Sequence, residues 1–234
     1  MVEAVETVVR VMPRGSGFPS LVQTTSGRRF VMKLSGVGQG VHGLITELIA
    51  TRLAGALGLR VPSVVPLMLS RDLPWQVGTD EFFETLQRSA GWNLGVEFVE
   101  GADDASLDEL GKIPAEFLDQ LSTVDTLLQN VDRTVHNPNL LRDREGAYWA
   151  IDFGACLFLD RFARDGARMS FALPANHFLA GRSVRRLSLV RVPLPLREIV
   201  SDIPDAWFDQ VPNGRQGLLE QLSAVVELYI RQHG

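Results

Sequence analysis

The segment TLLQNVDRTVHNPNLLRDREGAYWAIDFGACLF, Thr126–Phe158, decides how this chain is read. It continues a helical apolar pattern in which Phe117, Leu121, Val124 and Leu128 recur at spacings of four, three and four. That helix should be buried, and its end delivers Asn130-Val131-Asp132 into a loop. Asn139–Arg142 and Tyr148–Ile151 then flank the turn residues Asp143-Arg144-Glu145-Gly146 as a hairpin. Past the hairpin comes Asp152-Phe153-Gly154. A loop carboxylate, an amide five residues later at Asn137 and a second carboxylate after a hairpin follow the order of a phosphotransferase centre. Asp132 is the candidate base for an attacking hydroxyl, while Asn137 and Asp152 offer the hard oxygen ligands that magnesium prefers.

Upstream residues supply the other half of that chemistry. Thr7–Met12, Ser20–Thr24 and Arg29–Leu34 are β-branched and apolar, and a Ser26-Gly27 turn precedes the third, which predicts an antiparallel meander. The connection Pro13–Pro19 holds Gly15, Ser16 and Gly17. Its missing side chains would let backbone N–H groups approach a nucleotide's phosphates, although a glycine-bearing connection alone requires only a turn. Lys33 ends the third strand, and Glu47 lies in Leu44–Leu57, whose leucines and isoleucines form one apolar face before Gly58. A strand lysine can contact the α- and β-phosphates while a helix glutamate fixes its position. Without the downstream segment, the same two residues would read as an ordinary surface pair.

Thr79 caps a predicted helix over Asp80–Ser89, Gly91–Val99 predicts a strand, and Gly101-Ala102-Asp103-Asp104 marks a boundary. VPSVVPLMLS at 61–70, with two prolines, predicts a short edge strand. The expected class is α+β, a two-lobed protein-kinase-like fold. Residues 1–100 form an antiparallel sheet lobe with one main helix, and residues 101–234 form a mainly helical lobe. The hinge then falls at Glu97, Phe98 and Val99, whose backbone groups would pair with the adenine edge whatever their side chains.

Composition agrees. The chain has 234 residues and 45% hydrophobic content, enough for one large core or two lobes sharing a cleft. A formal charge of −5 argues against general nucleic-acid binding by phosphate neutralisation. Cys156 has no cysteine to pair with, the start MVEAVETVV lacks a secretory pattern, and no apolar run approaches the roughly 18 residues of a membrane span. The expectation is a cytoplasmic protein.

Lys33, the Glu47 helix with its Leu59-Arg60-Val61-Pro62 exit, and Asn130-Val131-Asp132-Arg133 through Asn137 resemble HipA-like kinases. The resemblance covers most of the chain in element order and is sharpest at 126–158. It implies a protein-kinase-like fold and transfer of phosphate from ATP to serine. The chain departs from full-length HipA in being too short for the additional N-terminal subdomain, and in carrying Thr134 where histidine commonly follows the Asp-Arg. It looks more like a compact HipA-like subgroup, so the toxin activity of the best-known members does not carry over. Asp132-Arg133 with Asn137, and Ile151-Asp152-Phe153-Gly154, are also similar to phosphatidylinositol kinases.

The C-terminal third is less informative. Leu157–Asn176 is the expected activation or substrate segment, with Arg161, Arg164 and Arg168 available to an acidic or phosphorylated group. Arg182, Arg185, Arg186, Arg191 and Arg197 form a basic run that ordinary surface pairing accounts for. His136 reads as a loop hydrogen-bonder and Cys156 as a small buried residue. Gly217–Ile230 predicts an amphipathic helix for packing or a homo-oligomer contact.

The sequence thus predicts an ATP- and Mg2+-dependent kinase acting on serine or threonine of a protein. Gly15, Ser16, Gly17 and Lys33 would hold the nucleotide, Glu47 would position Lys33, and Asp132 would act on the acceptor. Three alternatives stay open: a catalytically silent module binding nucleotide or a partner protein, a lipid or small-molecule kinase, and nucleotidyl transfer in a flipped nucleotide pose. A binding module has no need of the base, which favours activity.

Overall fold

The fold is mixed α+β. In the computed structural model, residues 2–13, 17–74, 77–182, 184–185, 187–190 and 192–233 are described. Five strands come first: β1 (Glu3–Val11), β2 (Ser20–Thr24), β3 (Arg29–Lys33), β4 (Val64–Leu69) and β5 (Gly91–Glu97). They close into a barrel in the order β1-β2-β3-β5-β4. All neighbours run antiparallel except β1 and β4, whose parallel seam joins Glu3 to Leu67 and Ala4 to Met68.

Closure goes beyond the expected antiparallel sheet, and it leaves β4 between β5 and β1, not at an edge. Pro66 is tolerated because the β1 seam starts only beyond it, at Leu67. Two register shifts in β1, between Val5 and Thr7 and between Val8 and Arg10, supply the bend that curls the sheet. Gly95 permits the tight wall opposite, since a Cβ there would come within 2.7 Å of the Leu67 side chain. Val5, Val8, Val22, Phe30, Met32 and Leu67 fill the interior, covered by Phe82 and Leu86 of α2 (Asp80–Arg88). Thr79 caps α2 as expected, accepting from the Phe82 N–H at 3.3 Å.

Helix α1 (Gly40–Ala56) packs outside the barrel and starts four residues before the predicted Leu44. Every residue from Leu44 to Thr51 is buried, Glu47 included, because the helix is covered on more than its apolar face. It shares an apolar core with α3 (Ala115–Leu128), α4 (Phe158–Asp165), α5 (Leu196–Ser201) and α6 (Gly214–His233). Arg52 of α1 donates to the Asp202 carboxylate and, at 2.9 Å, to the Ile199 carbonyl at the end of α5. The expected hairpin is β7 (Leu140–Arg142) and β8 (Tyr148–Ala150), and β6 (Asp103–Asp104), inside the expected boundary segment, adds a third strand. The expected activation or substrate segment, Leu157–Asn176, contains α4, which begins at Phe158, and a 3-10 turn at Gly166–Arg168. Among the described residues no helix is long and apolar enough to cross a membrane.

Candidate active site

Strand alternation delivers the lysine. Phe30 and Met32 of β3 are fully buried in the barrel, so Val31 and Lys33 face the opposite way, toward a cleft of about 1200 Å³. There the Lys33 ammonium donates to Glu47 Oε1 at 2.6 Å and to Asp152 Oδ1 at 2.8 Å. Two carboxylates from distant parts of the chain thus share one cation. Burial alone would depress the lysine's pKa, but the charges of Glu47 and Asp152 outweigh it and raise the value, so Lys33 stays protonated. Burial pushes Glu47 above the usual carboxylate range, against the pull of Lys33. Asp152 also feels burial, yet the Lys33 charge and hydrogen bond, helped by Arg133, hold it below its ordinary value. Its backbone is left-handed at φ 58, and its side chain is 42% exposed, so the carboxylate is fixed by lysine and still open to the cleft.

The loop that carries Asp132 and Asn137 follows α3, which ends at Gln129 in the left-handed conformation, φ 54. Asp132 accepts from Asn137 Nδ2 at 2.7 Å and from Asn139 Nδ2 at 3.3 Å, while its own N–H donates to Asn130 Oδ1 at 3.1 Å. Donation by Nδ2 leaves the Asn137 carbonyl oxygen available as a ligand. Beneath the loop lies Arg133, whose side chain is wholly buried. Its Nε donates to Asp125 Oδ2 at 2.7 Å, and its terminal nitrogens reach the carbonyls of Pro138 (2.9 Å), Asn139 (2.7 Å) and Ile151 (3.3 Å). The guanidinium sits 5.0 Å from the Phe153 ring centre. One side chain therefore joins α3, the loop and the Asp152-Phe153-Gly154 turn.

Of the predicted site residues, Lys33, Glu47, Glu97, Phe98, Val99, Asp132, Asn137 and Asp152 all line the one cleft. Gly15 and Ser16 lie outside the described residues. Gly17 does not line the cleft; its φ of +80 and a Cβ position 2.7 Å from Val37 make it a packing requirement of the connection. The expected hinge offers fewer free donors than its three residues. The Glu97 N–H donates to the Ser63 carbonyl at 2.8 Å and the Phe98 N–H to the Arg29 carbonyl at 3.0 Å, so neither is free for adenine. The Val99 N–H has no hydrogen-bond partner among the described residues.

Four residues around this site escaped the sequence reading. Asn139 carries a visible signal, a second amide two residues after Asn137. Arg133 could have been singled out by its place beside Asp132. Asp125 and His177 carry no local signal, being brought together across 52 positions, with His177 Nε2 3.0 Å from Asp125 Oδ2.

The donor set suits magnesium. Asn137 and Asp152 present an amide and a carboxylate oxygen, and Lys33 beside Asp152 favours the charged form of that carboxylate.

Comparison with known proteins gives two findings. The profile of the family described as HipA-like kinase matches residues 5–231. Among solved structures, the crystal structure of the Helicobacter pylori proinflammatory kinase CtkA is similar at a TM-score of 0.53 and 14% identity, covering 99% of this chain and 97% of that one. At that identity the likeness is one of fold. No curated protein matches.

Proposed function

Because this chain belongs to the HipA-like kinase family, whose members are kinase-type phosphotransferases, we propose that it transfers the γ-phosphate of ATP to a serine or threonine of a protein. The observation that carries the reading is Lys33, held between Glu47 and Asp152 in the cleft that also contains Asp132 and Asn137. In this reading the barrel side, residues 1–100, and the helical side, residues 101–234, are two lobes with the nucleotide between them. Lys33 binds the α- and β-phosphates, and Glu47, buried and immobile, stops it from swinging away. The Val99 N–H and neighbouring carbonyls meet the adenine edge. Asp132, oriented by Asn137 and Asn139, accepts the hydrogen bond of the acceptor hydroxyl and takes its proton as the new phosphorus–oxygen bond forms and the bond from the γ-phosphorus to the bridging oxygen breaks, with ADP leaving. Asn137 and Asp152 would hold magnesium. When bound, the ion neutralises charge on the phosphate oxygens. The choice of a protein acceptor rests on the family, and the setting we assign is cytoplasmic.

Magnesium-ATP should raise the thermal stability of the purified chain. At about 100 times its dissociation constant, a ligand of the native state adds roughly 2.7 kcal/mol. Asp152→Asn should bind ATP with little response to magnesium, because a neutral amide replaces the ligand carboxylate. A wild-type melting curve that does not move with millimolar magnesium-ATP would reject the nucleotide site itself.

A further inference from the structure

Among its described residues the chain between α4 and α5 is mostly irregular, yet part of it is fastened to the catalytic loop. Gln129 Nε2 donates to the Ala172 carbonyl at 3.3 Å, the Phe178 N–H donates to the Arg133 carbonyl at 3.3 Å, and Thr134 and His177 form an isolated antiparallel bridge. At the centre is His177, 4% exposed. Its Nδ1 accepts the Leu179 N–H at 3.0 Å, so the ring proton is on Nε2 and is donated to Asp125 Oδ2 at 3.0 Å. That same oxygen takes the Arg133 Nε–H, while Asp125 Oδ1 takes Asn130 Nδ2 at 3.2 Å. Asn130 in turn accepts from the Asp132 N–H. His177 therefore faces a carboxylate whose other two contacts lead to both ends of the catalytic loop.

We propose that His177 is a positioning residue for the transfer step: through Asp125 it holds Arg133 and Asn130, and through them the backbone that aims Asp132. The proposal rests on the functional reading above. Its chemistry is specific to one ring nitrogen, because only a donor at the Nε2 position reaches Asp125. Glutamine places an amide donor near that position. Asparagine, of similar polarity, places its amide near Nδ1 and falls short of the carboxylate.

The test uses the full chain with three variants, His177→Ala, His177→Asn and His177→Gln, read by steady-state kinetics and by hydrogen exchange. Removing an orienting partner of this kind should lower kcat about 10- to 100-fold in the Ala and Asn variants, with KM for ATP changed by less than about twofold. Gln should recover most of the wild-type kcat. Amide exchange over 130–139 should quicken in Ala and Asn, while exchange in α6 stays unchanged. Equal kcat in Asn and Gln would overturn the proposal, as would a loss confined to KM or faster exchange in α6 as well. If the Ala variant does not fold, the Asn and Gln pair decides. A wild-type chain without turnover would defeat the functional reading, and the exchange comparison would still decide whether His177 holds the loop.

Discussion

Asp132→Asn should lose about 10²–10⁴-fold in phosphoryl-transfer rate and keep its magnesium-ATP affinity within about twofold. The size follows from removing a general base, and the retained affinity follows from geometry. Asparagine keeps an oxygen where Asp132 Oδ2 accepts from Asn137 and Asn139, so the loop is preserved while the basic group is gone. Lys33→Met should impair binding and transfer together, because it also strands the Glu47 and Asp152 carboxylates against each other. Stopped-flow or radiometric turnover beside calorimetric ATP titration separates the two effects. An Asp132→Asn protein as active as wild type would remove Asp132 from the mechanism.

Arg133→Met should cost about 3–5 kcal/mol of folding stability, the usual range when one partner of a buried ion pair is removed. The charge of Asp125 would remain in the interior with only Asn130 and His177, the carbonyls of Pro138 and Ile151 would lose their donor, and the Asn139 carbonyl would keep only the Ile151 N–H. Against a typical domain total of about 5–15 kcal/mol, such a loss is large enough to shift a urea midpoint far to the left. Arg133→Lys should fall between, since a point charge cannot serve the carboxylate and three carbonyls at once. A midpoint for Arg133→Met within about 1 kcal/mol of wild type would mean the guanidinium does not hold the loop.

The candidate chemistry was legible because it depends on residue type and order. A strand lysine, a helix glutamate and the Asp132, Asn137 and Asp152 series can each be found without knowing how the chain turns, and the structure places them on one cleft. Helices α1, α3 and α6 and most strands followed from apolar periodicity for the same local reason, whereas the short α4 and α5 were not anticipated. What stayed hidden is non-local. Barrel closure depends on a parallel seam of two residue pairs, with no turn to announce it. The polar residues of α3 look like a solvent face, yet Thr123 and Asp125 are buried. Thr123 accepts the Leu187 N–H at 3.0 Å and Asp119 the Arg185 N–H at 2.7 Å, so this helix satisfies the backbone of a long irregular segment. No pattern near His177 points to Asp125. The expected hinge shows the opposite limit: strand order proposes a place for it, but which N–H groups are spent within the barrel could not be read.

The most direct test of the central claim is the fate of the γ-phosphate. Purified chain, magnesium and ATP labelled at either the γ- or the α-phosphorus are incubated with cell extract, and label is followed in protein, lipid and small-molecule fractions. The account predicts γ-label on protein as phosphoserine or phosphothreonine, lost in Asp132→Asn, and no transfer of α-label. Transfer of α-label would make the chain a nucleotidyltransferase, γ-label only in lipid or small molecules would refute the protein acceptor, and no transfer at all would contradict the kinase reading.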